Sequence, residues 1–195
     1  MKTLYLVLFC SLIFGLTSSA QTAKHDTVLI QKIDSMFKDD QFWRKEYDKI
    51  AKKQTTYSEE TINRNWAVAD SINEIKAKAI IAKYGYPGFN LVGEWSNDFW
   101  AIVQHCDDDI SFQEQVLALM KIEVAKNNAD KNNYAYLTDR VLVNKKQKQI
   151  YGTQIHVDLK THKAEPFPLK YPKQVDALRK KMGLGPLKDY LKLFQ

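Results

Sequence analysis

From Asp26 to Tyr84 the chain carries helical patterning with a single interruption, and this commits its first third to long helices. Leu29, Ile33, Phe37, Trp43, Tyr47 and Ile50 recur at near-helical spacing through Lys53, behind Asp26 or Thr27 as a cap. Gln54 to Tyr57 is a polar break. Ser58 opens a second run, in which Ile62, Trp66, Ala69, Ile72, Ile75 and Ala79 mark an apolar face ending near Tyr84. Gly85 is a natural C-cap residue, and Pro87-Gly88 cannot continue a helix.

Two more helices follow. Ser96 or Asn97 caps a third, with Phe99, Ile102, Val103 and Cys106 inward, and Asp107-Asp108-Asp109 stops it. Ser111 starts a fourth, with Phe112, Val116, Leu119 and Ile122 facing in, before a polar loop from Asn127 to Asn133.

At Tyr134 the period changes. Asp139-Arg140 leads into Val141-Leu142-Val143, a polar turn follows, and Ile150-Tyr151-Gly152-Thr153-Gln154 returns. This predicts a β-hairpin over 134–154. With its turn at Lys145-Lys146, Asp139 faces Gly152, Arg140 faces Tyr151, and Asp139 and Gln154 line one wall looking toward His105. Residues 158–171 read as irregular, with Pro166, Pro168 and Pro172 around them. A helix from Lys173 to Met182 ends at Gly183, and a short last helix runs from Pro186 to Leu193. The expected fold class is α+β: a mostly helical single domain with a small antiparallel β-hairpin. Its core is expected to include Trp66, Ile72, Phe99, Val103, Leu119 and Tyr190.

Ahead of this domain, Lys2 precedes an uncharged run from Leu4 to Leu16, closed by Thr17-Ser18-Ser19-Ala20. Residues 1–20 read as a signal peptide cut after Ala20, with export to the periplasm or beyond, and 21–195 as the domain. The run is too short to span a bilayer as a helix, and no later segment is apolar enough to do so. Cys106 is the one cysteine left after cleavage, so packing must hold the fold without an internal disulfide. The chain has 29 Lys+Arg against 23 Asp+Glu, a net +6, but the bases are scattered. Scattered bases do not make a nucleic-acid surface, and the expected partner is a polar small molecule or an envelope component.

His105-Cys106-Asp107-Asp108-Asp109 is the strongest polar cluster. Histidine titrates near neutral pH, and a carboxylate can hold its tautomer. Three acids at a helix C-terminus oppose the helix dipole, which hints at another role. There is no H-x-x-x-H pair, EF-hand spacing, cysteine pair, P-loop, G-x-G-x-x-G or G-x-S-x-G, so no metal or cofactor is expected. Cys106 falls on the apolar stripe, where it acts as a small buried residue. Asp40 and Arg44 lie one helical turn apart, which reads most simply as a surface ion pair.

Five pieces in order resemble an uncharacterised bacterial family, domain of unknown function 6624. They are Asp40-Gln41-x-x-Arg44, Val103-Gln104-His105-Cys106-Asp107 with Phe112-Gln113, Tyr136-Leu137-Thr138-Asp139-Arg140, Gln149-Ile150-Tyr151-Gly152-Thr153-Gln154, and Met182-Gly183-Leu184-Gly185-Pro186-Leu187-x-x-Tyr190. The resemblance implies a common fold and a shared polar site, and no reaction. The matching positions favour Gln41, Arg44, His105, Asp107, Asp139, Arg140 and Gln154.

Three functions compete. One is a metal-independent acid–base enzyme, hydrolase-like, acting on a polar substrate. His105 carries the proton, Asp107 or Asp139 orients it, and Arg140 or Arg44 stabilises an anion. Gln41, Arg44, Arg140, Tyr151 and Gln154 then bind substrate, with Tyr151 under the Arg140 guanidinium. The second is an envelope binding module using the same pocket without turnover. The third is a purely structural polar network. Mass spectrometry of exported protein should find Gln21 at the N-terminus. Retention of residues 1–20, or a lipid on Cys10, would refute the cleavage.

Overall fold

Asp26 accepts a hydrogen bond from the Leu29 amide and starts α1, Thr27–Ile50. Ser58 does the same for Thr61 and starts α2, Glu59–Tyr84, and Gly85 ends it with φ +69°. The computed structural model describes residues 25–158, 160–161 and 163–194. The signal-peptide reading therefore lies outside the described residues. No described helix is long and apolar enough to cross a membrane.

The two long helices pack on each other, and the short break between them makes them antiparallel neighbours. After a single turn, α3 (Phe89–Val92), α4 (Trp95–Gln104) lies across both. Asp109 accepts from the Phe112 amide and caps α5, Ile110–Ala125. Leu29, Ile33, Met36, Ala77, Ile80, Phe99, Ile102, Val103, Val116, Met120 and Leu137 form the common core.

The segment expected as a hairpin is a helix, α6, Lys131–Asn144, which packs mainly on α5. Its cap is Asp130, which accepts from the Asn132 and Asn133 amides. The physical reason for the misreading is the burial of α6. Ala135, Leu137, Asp139 and Val141 are all buried while the residues between them are half-buried. A helix enclosed on two sides has no clean polar face, and its sequence then mimics the alternation of a strand.

The antiparallel hairpin occurs later, with its first strand just past the expected one and its second inside the stretch 158–171 expected to be irregular. Strands β1 (Ile155–Val157) and β2 (Ala164–Pro166) pair Ile155 with Pro166 and Val157 with Ala164. The chain ends in α7 (Val175–Lys181) and α8 (Leu187–Leu191). A mostly helical α+β domain is thus present, with its sheet displaced from the expected position.

Of the expected core, Phe99 and Val103 are fully buried. Trp66, Leu119 and Tyr190 are half-buried, and Ile72 is 45% exposed. The inward face of α2 runs instead through Ile62, Asn73, Ala77 and Ile80. Polar residues occupy part of the inward stripe, so following the apolar residues alone turned the predicted face by about one residue.

The loop after α6 is held between two buried charges. Asp139, fully buried, accepts from the Ile150 amide (2.8 Å), the Tyr151 amide (3.1 Å), and the Thr153 amide and hydroxyl (2.9 and 3.1 Å). Arg179, 2% exposed, donates to the Tyr151 carbonyl (2.9 Å) and the Gly185 carbonyl (2.6 Å), with its guanidinium over the Tyr190 ring. Gln149, also fully buried, donates to the Gln154 and Phe167 carbonyls and accepts from the Gln154 amide. Gly152 has φ +69°, and a Cβ there would lie 3.0 Å from Leu187 Cδ1, so glycine suits both backbone and packing. Burial pushes the Asp139 carboxyl above its usual range, and the Thr153, Ile150 and Tyr151 donors pull against that shift.

Asp139→Ala leaves these donors buried without an acceptor. At roughly 1 kcal/mol or more per unsatisfied group, the variant should lose more than ~3 kcal/mol in denaturant unfolding. A loss below about 1 kcal/mol would show that this clamp does not hold the C-terminal third.

Candidate functional site

Asp40 lies on the buried stripe of α1. Leu29, Ile33, Met36 and Asp40 follow one another at helical spacing, and all four are buried. A carboxylate enclosed there needs partners, and it has three. Oδ1 meets His105 Nδ1 at 2.8 Å and Arg44 Nη2 at 3.0 Å, while Oδ2 accepts from the Gln41 side-chain amide at 2.7 Å. Burial alone would raise the Asp40 carboxyl. The contacts with His105 and Arg44 outweigh burial and hold it below the usual carboxylate range. The expected surface ion pair is therefore an enclosed one, with Asp40 1% exposed.

His105 is the C-cap residue of α4, which carries its ring out from the core toward α1. With Asp40 accepting from Nδ1–H, the remaining lone pair is on Nε2. His105 lines a cleft of about 470 Å³ with Arg44, Trp66, Asp70, Glu74 and Arg140.

Arg44 ties the two long helices together. Its Nη2 also reaches Asp70 Oδ1 on α2 at 2.7 Å, and its guanidinium lies 4.6 Å from the Trp66 ring centroid. Asp70 is shifted the opposite way from Asp40. Burial raises its carboxyl and the negative charge of Asp40 adds to this, against the pull of Arg44. Two carboxylates sharing one guanidinium are thus pushed apart in acidity, as in sites that separate an acid from a base.

On the other side of His105, Asp107 accepts from Arg140 Nε (2.8 Å), the Asn144 amide (2.8 Å) and the Gln113 amide (3.3 Å). Arg140 also donates to the second Asp107 oxygen. These bonds join the α4–α5 corner to the end of α6. Burial works against the charge on Asp107, but the Arg140 pairing prevails and its carboxyl lies below the usual range. Cys106 is 4% exposed and its sulfur points to the Ile102 carbonyl. Burial pushes its thiol up to about 12, so it is a thiol and not a thiolate at neutral pH.

The predicted site residues divide into two groups. Gln41, Arg44, His105, Asp107 and Arg140 gather at or just behind the cleft. Asp139, Tyr151 and Gln154 do not line it. Asp139 projects from α6 into the loop clamp, Tyr151 is buried there, and the Gln154 amide turns to the Thr153 hydroxyl. Helical neighbours diverge by about 100°, which separates Asp139 from Arg140. Arg140 pairs with Asp107, not with Tyr151. The common wall of Asp139 and Gln154 therefore does not exist, and Asp40 is the carboxylate in contact with His105.

The chain belongs to a family of unknown function. The family model, DUF6624, matches residues 27–195. No curated protein and no solved structure matches the chain. The motifs this DUF6624 member presents serve two places in the fold. Asp40-Gln41-x-x-Arg44 and His105-Cys106-Asp107 build the cleft, and 149–154 with 182–190 build the clamp. Asp139-Arg140 touches both, one residue on each side of α6.

Sequence reasoning missed Asp70, Glu74 and the role of Asp40. A signal was present: Ile62, Trp66, Asp70, Asn73, Ala77 and Ile80 continue one helical stripe through two polar residues. Asp40→Asn should destabilise the protein by about 3 kcal/mol or more at pH 7, because it breaks an enclosed charge network. The folded-state carboxyl lies below its ordinary 3.8, so its stabilisation is present at neutral pH and lost as pH falls through the folded value. The stability gap between wild type and variant should therefore close in acid. A gap unchanged from neutral to strongly acidic pH would count against an ionised Asp40.

Proposed function

We propose that this DUF6624 member binds a polar ligand in the His105 cleft and performs acid–base chemistry on it. In this reading His105 Nε2 is the proton carrier and Asp40 the residue that orients it. Asp70, raised by burial, is the second proton-transfer group. The observation that carries the reading is the 2.8 Å contact between a 1%-exposed carboxylate and the Nδ1 of a histidine that lines a cleft. A buried acceptor on Nδ1 selects the tautomer with a free Nε2, which is the arrangement a general base needs. Arg44, over the Trp66 ring and paired with Asp40 and Asp70 through Nε and Nη2, keeps Nη1 to stabilise charge developing beside Asp70.

Export by residues 1–20 belongs to the same proposal and places the substrate in the cell envelope or outside it. The purely structural alternative suits Asp139, whose bonds are saturated away from the cleft. It does not suit His105, which lines open volume.

The test is turnover of envelope-derived polar substrates by wild type, His105→Ala and Asp40→Asn. His105→Ala should stay folded and lose about 100-fold or more in rate, the scale of a positioned proton-transfer group. Unimpaired turnover in folded His105→Ala would reject the assignment. Ligand binding without turnover in wild type would establish the binding-module alternative instead.

A further inference from the structure

Within the site proposed above, charge and hydrogen-bonding inventory constrain what the ligand carries. Four carboxylates line the cleft, Asp70, Glu74, Asp107 and Asp108, against two guanidinium groups. With neutral His105 its lining is net −2, in a chain whose formal charge is +6. A concave acidic site on a basic protein is a local reversal of field.

The cations there are already paired. Arg44 is shared by Asp40 and Asp70, and Arg140 binds both oxygens of Asp107. Lys78, beside the cleft, bridges Glu74 and Asp109 at 2.6 and 2.7 Å. Uncommitted acceptors remain. Asp108 makes no ion pair or side-chain hydrogen bond among the described residues, and Glu74 commits one oxygen to Lys78. His105 adds the Nε2 lone pair, while the Trp66 ring, which also lines the cleft, already has the Arg44 guanidinium over it.

We infer that the cleft takes a ligand bearing a primary ammonium group, held between Glu74 and Asp108 with its body toward His105. An ammonium offers three donors and a positive charge, which suits a lining of acceptors whose own cations are paired. A free carboxylate or phosphate would meet a net negative field, and both guanidinium groups already have carboxylate partners. About 470 Å³ accommodates a small amine, and an ammonium at the end of a larger polar molecule enters equally well.

This inference rests on the His105 cleft being a ligand site, and the experiment separates the two claims. Three probes of one five-carbon length differ in charge: 1,5-diaminopentane, 1,5-pentanediol and glutarate. Each is titrated to millimolar concentration into isotope-labelled protein, and the Trp66 indole and His105 ring resonances are followed by NMR. The diamine should shift both saturably, the diol far less and glutarate not at all. Added salt should weaken the diamine response, since the attraction is between partly exposed charges. Glu74→Gln combined with Asp108→Asn should weaken diamine binding by about fivefold or more, the effect of removing two partly exposed ion pairs. Stronger binding of glutarate or the diol would overturn the ammonium inference while leaving the cleft a ligand site. Diamine shifts unchanged in the double variant would overturn it as non-specific binding. No saturable shift from any probe, in protein with a dispersed spectrum, would overturn both claims.

Discussion

The C-terminal third stays on the helical body because one short loop is gripped from both ends of its peptide dipoles. Asp139 takes the amides of Ile150, Tyr151 and Thr153, and Arg179 takes the carbonyls of Tyr151 and Gly185. Neither charge is solvated, and they do not pair directly. Each is stabilised by backbone groups that would otherwise be orphaned in the interior. The Tyr190 hydroxyl, donating to the Thr153 carbonyl, draws α8 into the same arrangement. This network fixes α6 in rotation, and through that rotation it fixes Arg140. With Asp139 directed into the clamp, its neighbour Arg140 faces Asp107 and the cleft.

The cleft depends on a second buried charge of different character. Asp40 is enclosed by side chains, not by backbone, and its partners come from α1 and from the end of α4. Arg44 extends the chain of contacts to Asp70 on α2. Three helices therefore converge on one ionic relay whose outer members, His105 and Asp70, line open volume. An enclosed ionic group is a costly way to gain stability, since apolar residues of similar size often serve as well. Its position beside a histidine and a second carboxylate of opposite acidity shift is what the acid–base proposal rests on.

Much of this is legible in the sequence. The caps at Asp26 and Ser58, the stop at Gly85 and the spacing of apolar residues define α1 and α2, because helix periodicity and capping are local properties. His105 and Asp107 stood out as polar residues at a helix end, and Asp40-Gln41-x-x-Arg44 as a motif. Two errors have one origin. On α2, and at Asp40 on α1, the inward stripe includes polar residues, so an apolar-only face left Asp70 and Asn73 unseen and assigned Asp40 to the surface. On α6, enclosure on two sides erased the polar face and left a pattern resembling a strand. In both places the sequence follows the environment of the segment, and that environment is made by distant parts of the chain.

By itself the sequence determined a largely helical single domain, the limits of its first two helices and most residues of the polar cluster, since these follow from spacing, caps and composition within a few turns. Only the tertiary structure decided which carboxylate meets His105. The candidates Asp107 and Asp139 are near in sequence or in the imagined hairpin, whereas Asp40 arrives from a helix 65 residues away. Hydrogen-bond partnership across that separation is set by how α1 and α4 cross. The same crossing, with the rotation of α6, puts Arg140 at the cleft and Asp139 in the clamp, and no local rule of sequence distinguishes two adjacent residues in that way.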